Sequence, residues 1–198
     1  MKEGGYTSHS LKWKYRNSVN PAIWGKSCLH RHEPLKYQTR QRSDRPILRE
    51  DTEVQVFDCI RSRRTVRDFK PDPVPETIVR KILQAARWAP SSSNSQPWHF
   101  IVIEDRQMLA KLGEVATQGP FIAGAPMAIA IVMENAFRPQ LDAGRAIQQM
   151  ELVAWSEGLG TCFVGFKAKD QADRVKELLH VPAELELVTV MPFGYREE

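Results

Sequence analysis

Two polar segments of this chain have the residue types and spacing to bind a phosphorylated ligand that contains a ring. The first places three arginines within five residues, Arg63, Arg64 and Arg67. Guanidinium groups keep their charge at physiological pH, and their paired N–H donors match two phosphate oxygens at once. The second segment, residues 91–96, contains only Ser, Asn and Gln. Side-chain amides offer a donor and an acceptor in one plane, which suits the edge of a flat heterocycle.

Both segments resemble the signature segments of the FMN-dependent nitroreductase family. The resemblance continues in residues 141–149, 157–166 and 190–195, so that five blocks lie in the family's order between Val54 and Tyr195. It implies an FMN cofactor, NADH or NADPH as the electron donor, and a sandwich of helices around a mixed, mainly antiparallel sheet. It also implies an intertwined homodimer with two flavin sites in clefts at the interface.

The resemblance gives roles to individual residues. Arg63 and Thr65 match the positions that hold the phosphate and ribityl chain, with Arg64 beside them. Arg67 matches a basic residue near the pyrimidine edge, where a cation stabilises the reduced flavin. No catalytic side chain and no metal are expected, because the flavin carries the reactive atoms. The residues expected near the ring are Pro90, Ser91, Ser92 and Asn94 from the other subunit with Gln96 beside them, and Val164 and Gly165 through their backbone.

Length and charge divide the chain into a basic extension, residues 1–50, and one folded domain, residues 51–198. The extension has five Lys and six Arg against four acidic residues, a net charge of +7, whereas the other 17 basic and 20 acidic residues give −3. The extension lacks periodicity and is interrupted by Pro and Gly, which favours a disordered segment over a nucleic-acid-binding surface. A targeting peptide is another alternative, and the role of the extension stays open.

Cysteine content and hydropathy indicate where the protein works. The three cysteines lack paired metal-ligand spacing, so they predict neither a disulfide framework nor a zinc site. A reducing cytoplasm is therefore expected. No apolar stretch reaches the roughly eighteen residues that a membrane span needs.

Hydrophobic periodicity predicts an α+β domain in which helices bracket about four strands. The arginine cluster should follow a short helix, and the Ser/Asn loop should follow a helix that opens at Pro75 and is stopped by Pro90. A long apolar helix over 140–157, closed by Gly158, would lie in the core or at an interface. The other predicted helices cover 53–60, 105–116 (capped by Asp105) and 170–179, and the predicted strands cover 99–103, 128–133, 161–166 and 185–192. The strand 128–133 is almost wholly apolar, which predicts burial on both faces.

These patterns predict an FMN-dependent oxidoreductase that passes electrons from NAD(P)H through flavin to a small acceptor such as a nitroaromatic or a quinone. Reductive dehalogenation and flavin fragmentation on the same fold are alternatives, and a substrate-facing lid at residues 136–139 would bear on that choice. A non-catalytic protein that binds FMN or nucleic acid is a further alternative. The chain ends at Glu198 without the basic segment that usually follows the last strand in the family, a role that Arg196 would fill only in part.

Overall fold

The computed structural model describes residues 56–166 and 168–196. The predicted basic extension and the start of the first predicted helix lie outside the described residues. The helices are α1 (Val56–Ser62), α2 (Glu76–Arg87), α3 (Arg106–Val115), α4 (Pro139–Ser156) and α5 (Lys169–Leu178). The strands are β1 (Trp98–Ile103), β2 (Met127–Met133), β3 (Leu159–Thr161) and β4 (Glu186–Tyr195).

The four strands form one sheet in the order β1-β2-β4-β3, and every neighbouring pair is antiparallel. The α+β prediction is therefore confirmed, with a described sheet that is wholly antiparallel rather than mixed. One face of the sheet packs on α2 and α4. The other face packs on α3 and α5.

Strand β2 lies inside the sheet, and all seven of its residues are buried. Ile129 and Ile131 point to the α2 and α4 side, whereas Ala128 and Ala130 point to the α3 and α5 side. This alternation follows from the two-residue period of a strand. It confirms the prediction that this apolar run is buried on both faces.

Capping residues explain where the helices begin and end. The Asp105 carboxylate accepts the Met108 N–H at 2.8 Å and caps α3, as predicted. Pro75 is the residue directly before the first turn of α2. Gly158 follows α4 with φ +81°, a left-handed conformation that costs glycine little.

One predicted element was wrong, and α1 exposes its apolar side chains. The predicted strand 161–166 is not a strand, because β3 ends at Thr161 and the chain then leaves the sheet. The Val164 N–H donates to the Thr189 hydroxyl at 3.2 Å and that hydroxyl donates back to the Val164 carbonyl at 2.9 Å, which replaces ladder pairing. The apolar side chains of α1 are also exposed, at 68% for Val56 and 57% for Ile60, and α1 buries Cys59 instead.

Candidate functional site

The arginine segment, residues 63–70, follows α1 and runs beside β3 and the end of β4. The Val66 N–H donates to the Thr161 carbonyl at 3.0 Å. Val66 also packs on Gly160, where an added Cβ would lie 2.5 Å from the Val66 Cβ. Since only glycine allows this approach, the backbone of the arginine segment is fixed against the sheet.

The three arginines of this segment have different surroundings. The Arg63 Nε lies 3.8 Å from a carboxylate oxygen of Glu151 in α4. The Arg67 guanidinium carbon lies 5.6 Å from the ring centroid of Phe121, within cation–π range. Arg64 instead donates from Nη1 to three backbone carbonyls at the end of α1, each at 3.0 Å. Arg63 and Arg67 therefore retain donors for a ligand, whereas the Arg64 guanidinium caps α1. The neighbouring Thr65 is exposed.

A hydroxyl and a thiol lie beside the arginine segment, at Thr161 at the end of β3 and at Cys162 directly after it. Cys162 is 3% exposed. Burial raises the pKa of the Cys162 thiol, and the charge and hydrogen bond of Arg67 only partly oppose this. Cys162 is therefore a neutral thiol near pH 7 and not a nucleophile. The buried Thr161 hydroxyl has no hydrogen-bond partner among the described residues, as expected of a site that a ligand completes.

The Ser/Asn loop, residues 91–96, has an unusual backbone. Ser93, Asn94 and Gln96 have φ values of 52°, 54° and 48°, in the left-handed region that residues other than glycine seldom occupy. The Gln96 side chain donates to the Asn94 side-chain oxygen at 3.0 Å. Strained backbone of this kind costs free energy and is concentrated at functional sites.

Asp142, in the first turn of α4, anchors this loop. Its fully buried carboxylate accepts the Ser92 N–H at 3.1 and 3.0 Å and the Ser92 hydroxyl at 3.3 Å. The Arg145 guanidinium donates to the same carboxylate at 3.1 Å. The sequence reading gave Asp142 and Arg145 no role. The available signal was an acidic residue in the first turn of α4, where carboxylates commonly accept backbone N–H groups.

The two segments contact the same helix at different places. Asp142 holds the Ser/Asn loop and Glu151 faces the arginine segment. Nine residues of α-helix separate them by about 13.5 Å along the axis. Within one chain, the Ser/Asn loop therefore meets α4 near its start and the arginine segment meets it about two and a half turns later.

The predicted backbone contacts at Val164 and Gly165 lie just after β3. Val164 is buried and Gly165 is half-buried. Val164 packs on Gly119, where an added Cβ would lie 2.5 Å from a Val164 methyl group. The hydrogen bonds to Thr189 hold this turn rigidly.

The end of β4 also reaches the arginine segment. The Arg196 guanidinium carbon lies 3.8 Å from the ring centroid of Trp155. The Trp155 indole N–H donates to the Ser62 hydroxyl at 2.9 Å. Arg196 is thus held close to the residue that precedes Arg63, although its guanidinium stacks on a ring.

Comparison with known proteins identifies the family. The family model for the nitroreductase family matches residues 60–136 and 116–195. The chain belongs to the nitroreductase family. A family relative from Methanothermobacter thermautotrophicus strain Delta H, provisionally named NADH dehydrogenase/NAD(P)H nitroreductase, is 33% identical over 153 residues, covering 74% of this chain and 80% of the relative.

Solved nitroreductase-fold structures have the same architecture. An FMN-dependent nitroreductase from Clostridium difficile R20291 is 30% identical with a TM-score of 0.66, covering 71% of this chain and 87% of the other. Iodotyrosine deiodinase bound to FMN and 3-iodo-L-tyrosine is 25% identical with a TM-score of 0.65, covering 73% of this chain and 91% of the other. Within the described ranges, no helix has the length and apolar character to cross a membrane.

Proposed function

We propose that this nitroreductase-family chain is an FMN-dependent oxidoreductase that takes electrons from NADH or NADPH and passes them to a small acceptor such as a nitroaromatic or a quinone. The observation that carries the proposal is the pair of guanidiniums, Arg63 and Arg67, on a backbone fixed to the sheet. FMN supplies the hydride chemistry when bound.

The donors present fit such a group. Arg63 and Thr65 hold the phosphate and ribityl end, with Arg64 contributing its charge from the end of α1. Arg67, fixed by the Phe121 ring, supplies positive charge to the pyrimidine edge, where negative charge accumulates on reduction. The unpartnered Thr161 hydroxyl gains a hydrogen-bond partner in the filled site.

The ring is bordered by residues of the Ser/Asn loop and by the turn after β3. Amide groups of Asn94 and Gln96 match alternating donors and acceptors, and Asp142 holds their loop in place. The backbone of Val164 and Gly165 lies against the ring. Donor and acceptor use one open face in turn, so these residues bind, orient and exclude water rather than react.

We further propose that the site is completed in a homodimer, with the arginine segment from one subunit and the Ser/Asn loop from the other. The resemblance to the nitroreductase family supports this arrangement, since it implies flavin sites at the interface of a homodimer. Exposed apolar side chains on the single chain support it too, because large exposed apolar areas mark interfaces. These are Val56, Phe57, Ile60, Trp88, Phe137, Leu141 and Phe163.

A reducing cytoplasmic setting agrees with the two described cysteines, Cys59 and Cys162, which are both free thiols.

The role of residues 1–50 is tested by deletion. Activity that survives removal of these residues would exclude the basic extension from the mechanism.

The test is an absorbance spectrum after incubation with FMN and desalting, followed by a turnover assay. We expect a retained flavin band between roughly 350 and 500 nm and NAD(P)H oxidation that depends on a nitroaromatic or quinone. A colourless protein after reconstitution would contradict the proposal. Retained flavin without turnover would instead support a non-catalytic FMN-binding protein.

Reductive dehalogenation is a second candidate, favoured by the similarity to iodotyrosine deiodinase bound to FMN. Phe137, in the predicted lid and 80% exposed, offers a ring on which an aromatic substrate could stack. Iodide release from 3-iodo-L-tyrosine by the reduced protein under nitrogen would favour this candidate. Turnover of nitroaromatics alone would exclude it.

A further inference from the structure

The mostly buried carboxylate of Glu151 has fewer close donors than such a group usually has. Its side chain is 11% exposed, and its one ion-pair partner among the described residues is the Arg63 Nε at 3.8 Å. Burial raises the pKa of the Glu151 carboxyl, and the charge of Arg63 lowers it only in part. A buried carboxylate without close hydrogen-bond donors is readily protonated.

Arg63 is the main electrostatic partner of Glu151, with Arg67 nearby. The Cys162 thiol lies near both Glu151 and Arg67. Burial and the charge of Glu151 raise the pKa of this thiol, whereas the charge of Arg67 lowers it. The three groups therefore form one cluster. The charged groups on the surrounding elements include Lys81 of α2 paired with Glu157 after α4, Asp58 paired with Arg61 in α1, and Arg196 after β4 stacked on Trp155. Glu76 pairs with Arg80 in α2, Asp142 pairs with Arg145 in α4, and Arg87 lies at the end of α2.

We propose that Glu151 positions Arg63 before FMN binds, and that the Glu151 carboxylate takes up one proton from solvent when the FMN phosphate replaces it at the guanidinium. The inference rests on the proposed function, because it requires the phosphate at Arg63. It names Glu151 as a positioning residue that acts through Arg63 and couples cofactor affinity to pH.

The coupling follows from charge. A phosphate dianion beside an ionised carboxylate places like charges around one guanidinium, which raises the proton affinity of the carboxylate. Protonated Glu151 can also donate its O–H to a phosphate oxygen. The complex then binds more protons than the separate partners, so affinity rises as pH falls between the bound-state and free-state pKa values. The phosphate group itself loses dianion character below about pH 6 and acts in the opposite direction.

The experiment is calorimetric titration of FMN into the cofactor-free protein at pH 7 in buffers of different ionisation enthalpy. The wild-type protein should take up protons on binding FMN, seen as a binding enthalpy that varies with the ionisation enthalpy of the buffer. Glu151→Gln should abolish this uptake, because the amide does not titrate. Glu157→Gln, a control at the residue directly after α4 that is paired with Lys81, should behave as wild type.

Affinity measured against pH gives an independent result. The affinity of Glu151→Gln relative to wild type should rise with pH, by about tenfold for each unit by which FMN raises the Glu151 pKa. If Glu151→Gln does not fold, carbon-13 NMR of labelled wild-type carboxyl groups replaces it and should show one pKa that moves upward with FMN.

The outcomes separate the two proposals. Flavin binding with equal proton uptake in wild type and Glu151→Gln, or no carboxyl pKa that moves, overturns the role of Glu151 and leaves the proposed function intact. Failure of the wild-type protein to bind FMN overturns both.

Discussion

Asp142 and Glu151 lie on the same helix, and the structure surrounds them differently. Asp142 accepts hydrogen bonds from the Ser92 backbone and hydroxyl and from Arg145, between 3.0 and 3.3 Å. Within residues 56–166 and 168–196, Glu151 has one ion-pair contact, at 3.8 Å. The first carboxylate is thus saturated with donors and the second is not.

The two carboxylates therefore hold the two halves of the proposed site, the Ser/Asn loop and the arginine segment, differently before FMN binds. The Ser/Asn loop is held in a strained conformation by contacts within the chain, so the ring-binding half is organised without the cofactor. The arginine half has a fixed backbone but keeps its guanidinium donors for a ligand. We infer that FMN contributes more to ordering the arginine half than the loop half.

Removing the saturated carboxylate should have the largest effect. Asp142→Ala leaves the Ser92 N–H and the Arg145 guanidinium without their partner, and we expect the free energy of unfolding to fall by about 2–4 kcal/mol. Urea unfolding measures this. Asp173→Ala is the matched control, since its side chain is 50% exposed and lies 4.0 Å from Lys176; it should change stability by less than about 0.5 kcal/mol. Equal losses of stability in Asp142→Ala and Asp173→Ala would contradict the stronger anchoring of the Ser/Asn loop.

On the arginine half, Arg63→Ala should mainly weaken cofactor binding. Loss of a charge-assisted contact costs about 1.5–3 kcal/mol, or about 10- to 100-fold in FMN affinity. Arg64→Ala is the comparison, because its guanidinium caps α1; we expect a smaller loss of affinity. Titration of FMN fluorescence quenching compares them. A larger loss for Arg64→Ala would reverse the roles of these arginines.

A substitution at Gly160 should displace the backbone of the arginine segment without changing any charged residue. Gly160→Ala places a Cβ 2.5 Å from the Val66 Cβ and should cost about 1–3 kcal/mol of stability, with weaker FMN binding. Gly144→Ala, at an exposed position of α4, adds a Cβ with no atom within 4 Å and should stabilise by about 0.5–1 kcal/mol. Thermal unfolding of both variants tests whether the sheet fixes this segment. A neutral Gly160→Ala would mean that it does not.

The smallest expected effect is the pH dependence of the cofactor-free protein. The Glu151 pKa is raised above its ordinary value of 4.5 by burial, so the folded state binds more protons than the unfolded state. Stability from this group is fully present below pH 4.5 and is lost as pH rises through the folded-state pKa. Urea unfolding from pH 4 to pH 8 should show a shallower decline for Glu151→Gln than for wild type. Parallel stability curves for the two proteins would contradict a raised Glu151 pKa in the folded state.

Local patterns in the sequence were enough to predict most of the fold. The Asp105 cap, the doubly buried β2 and Gly158 after α4 each depend on neighbours in the chain, and each is confirmed. The predicted strand 161–166 failed because the Thr189 hydroxyl, 25 residues away from Val164, takes over its backbone hydrogen bonds. Apolar composition indicated a strand there, but composition does not record that long-range contact.

The candidate site was less accessible to sequence reasoning. Arg63 and Arg67 were identified from residue type and resemblance, whereas the anchoring by Asp142 depends on Ser92 meeting α4 across 50 residues. The capping role of Arg64 was missed because the residue type alone does not distinguish a ligand donor from a helix cap. The partly partnered state of Glu151 depends on burial, which a single sequence does not give.

The central claim is that each site takes its arginine segment from one chain and its Ser/Asn loop from another. The most direct measurement is FMN binding by a hybrid dimer of Arg63→Ala and Asn94→Ala/Gln96→Ala chains, purified through two different affinity tags. One site of this hybrid keeps both wild-type halves and the other loses both. We predict one FMN bound per hybrid dimer with wild-type affinity, while each variant alone binds weakly. Weak binding at both sites of the hybrid would contradict the account.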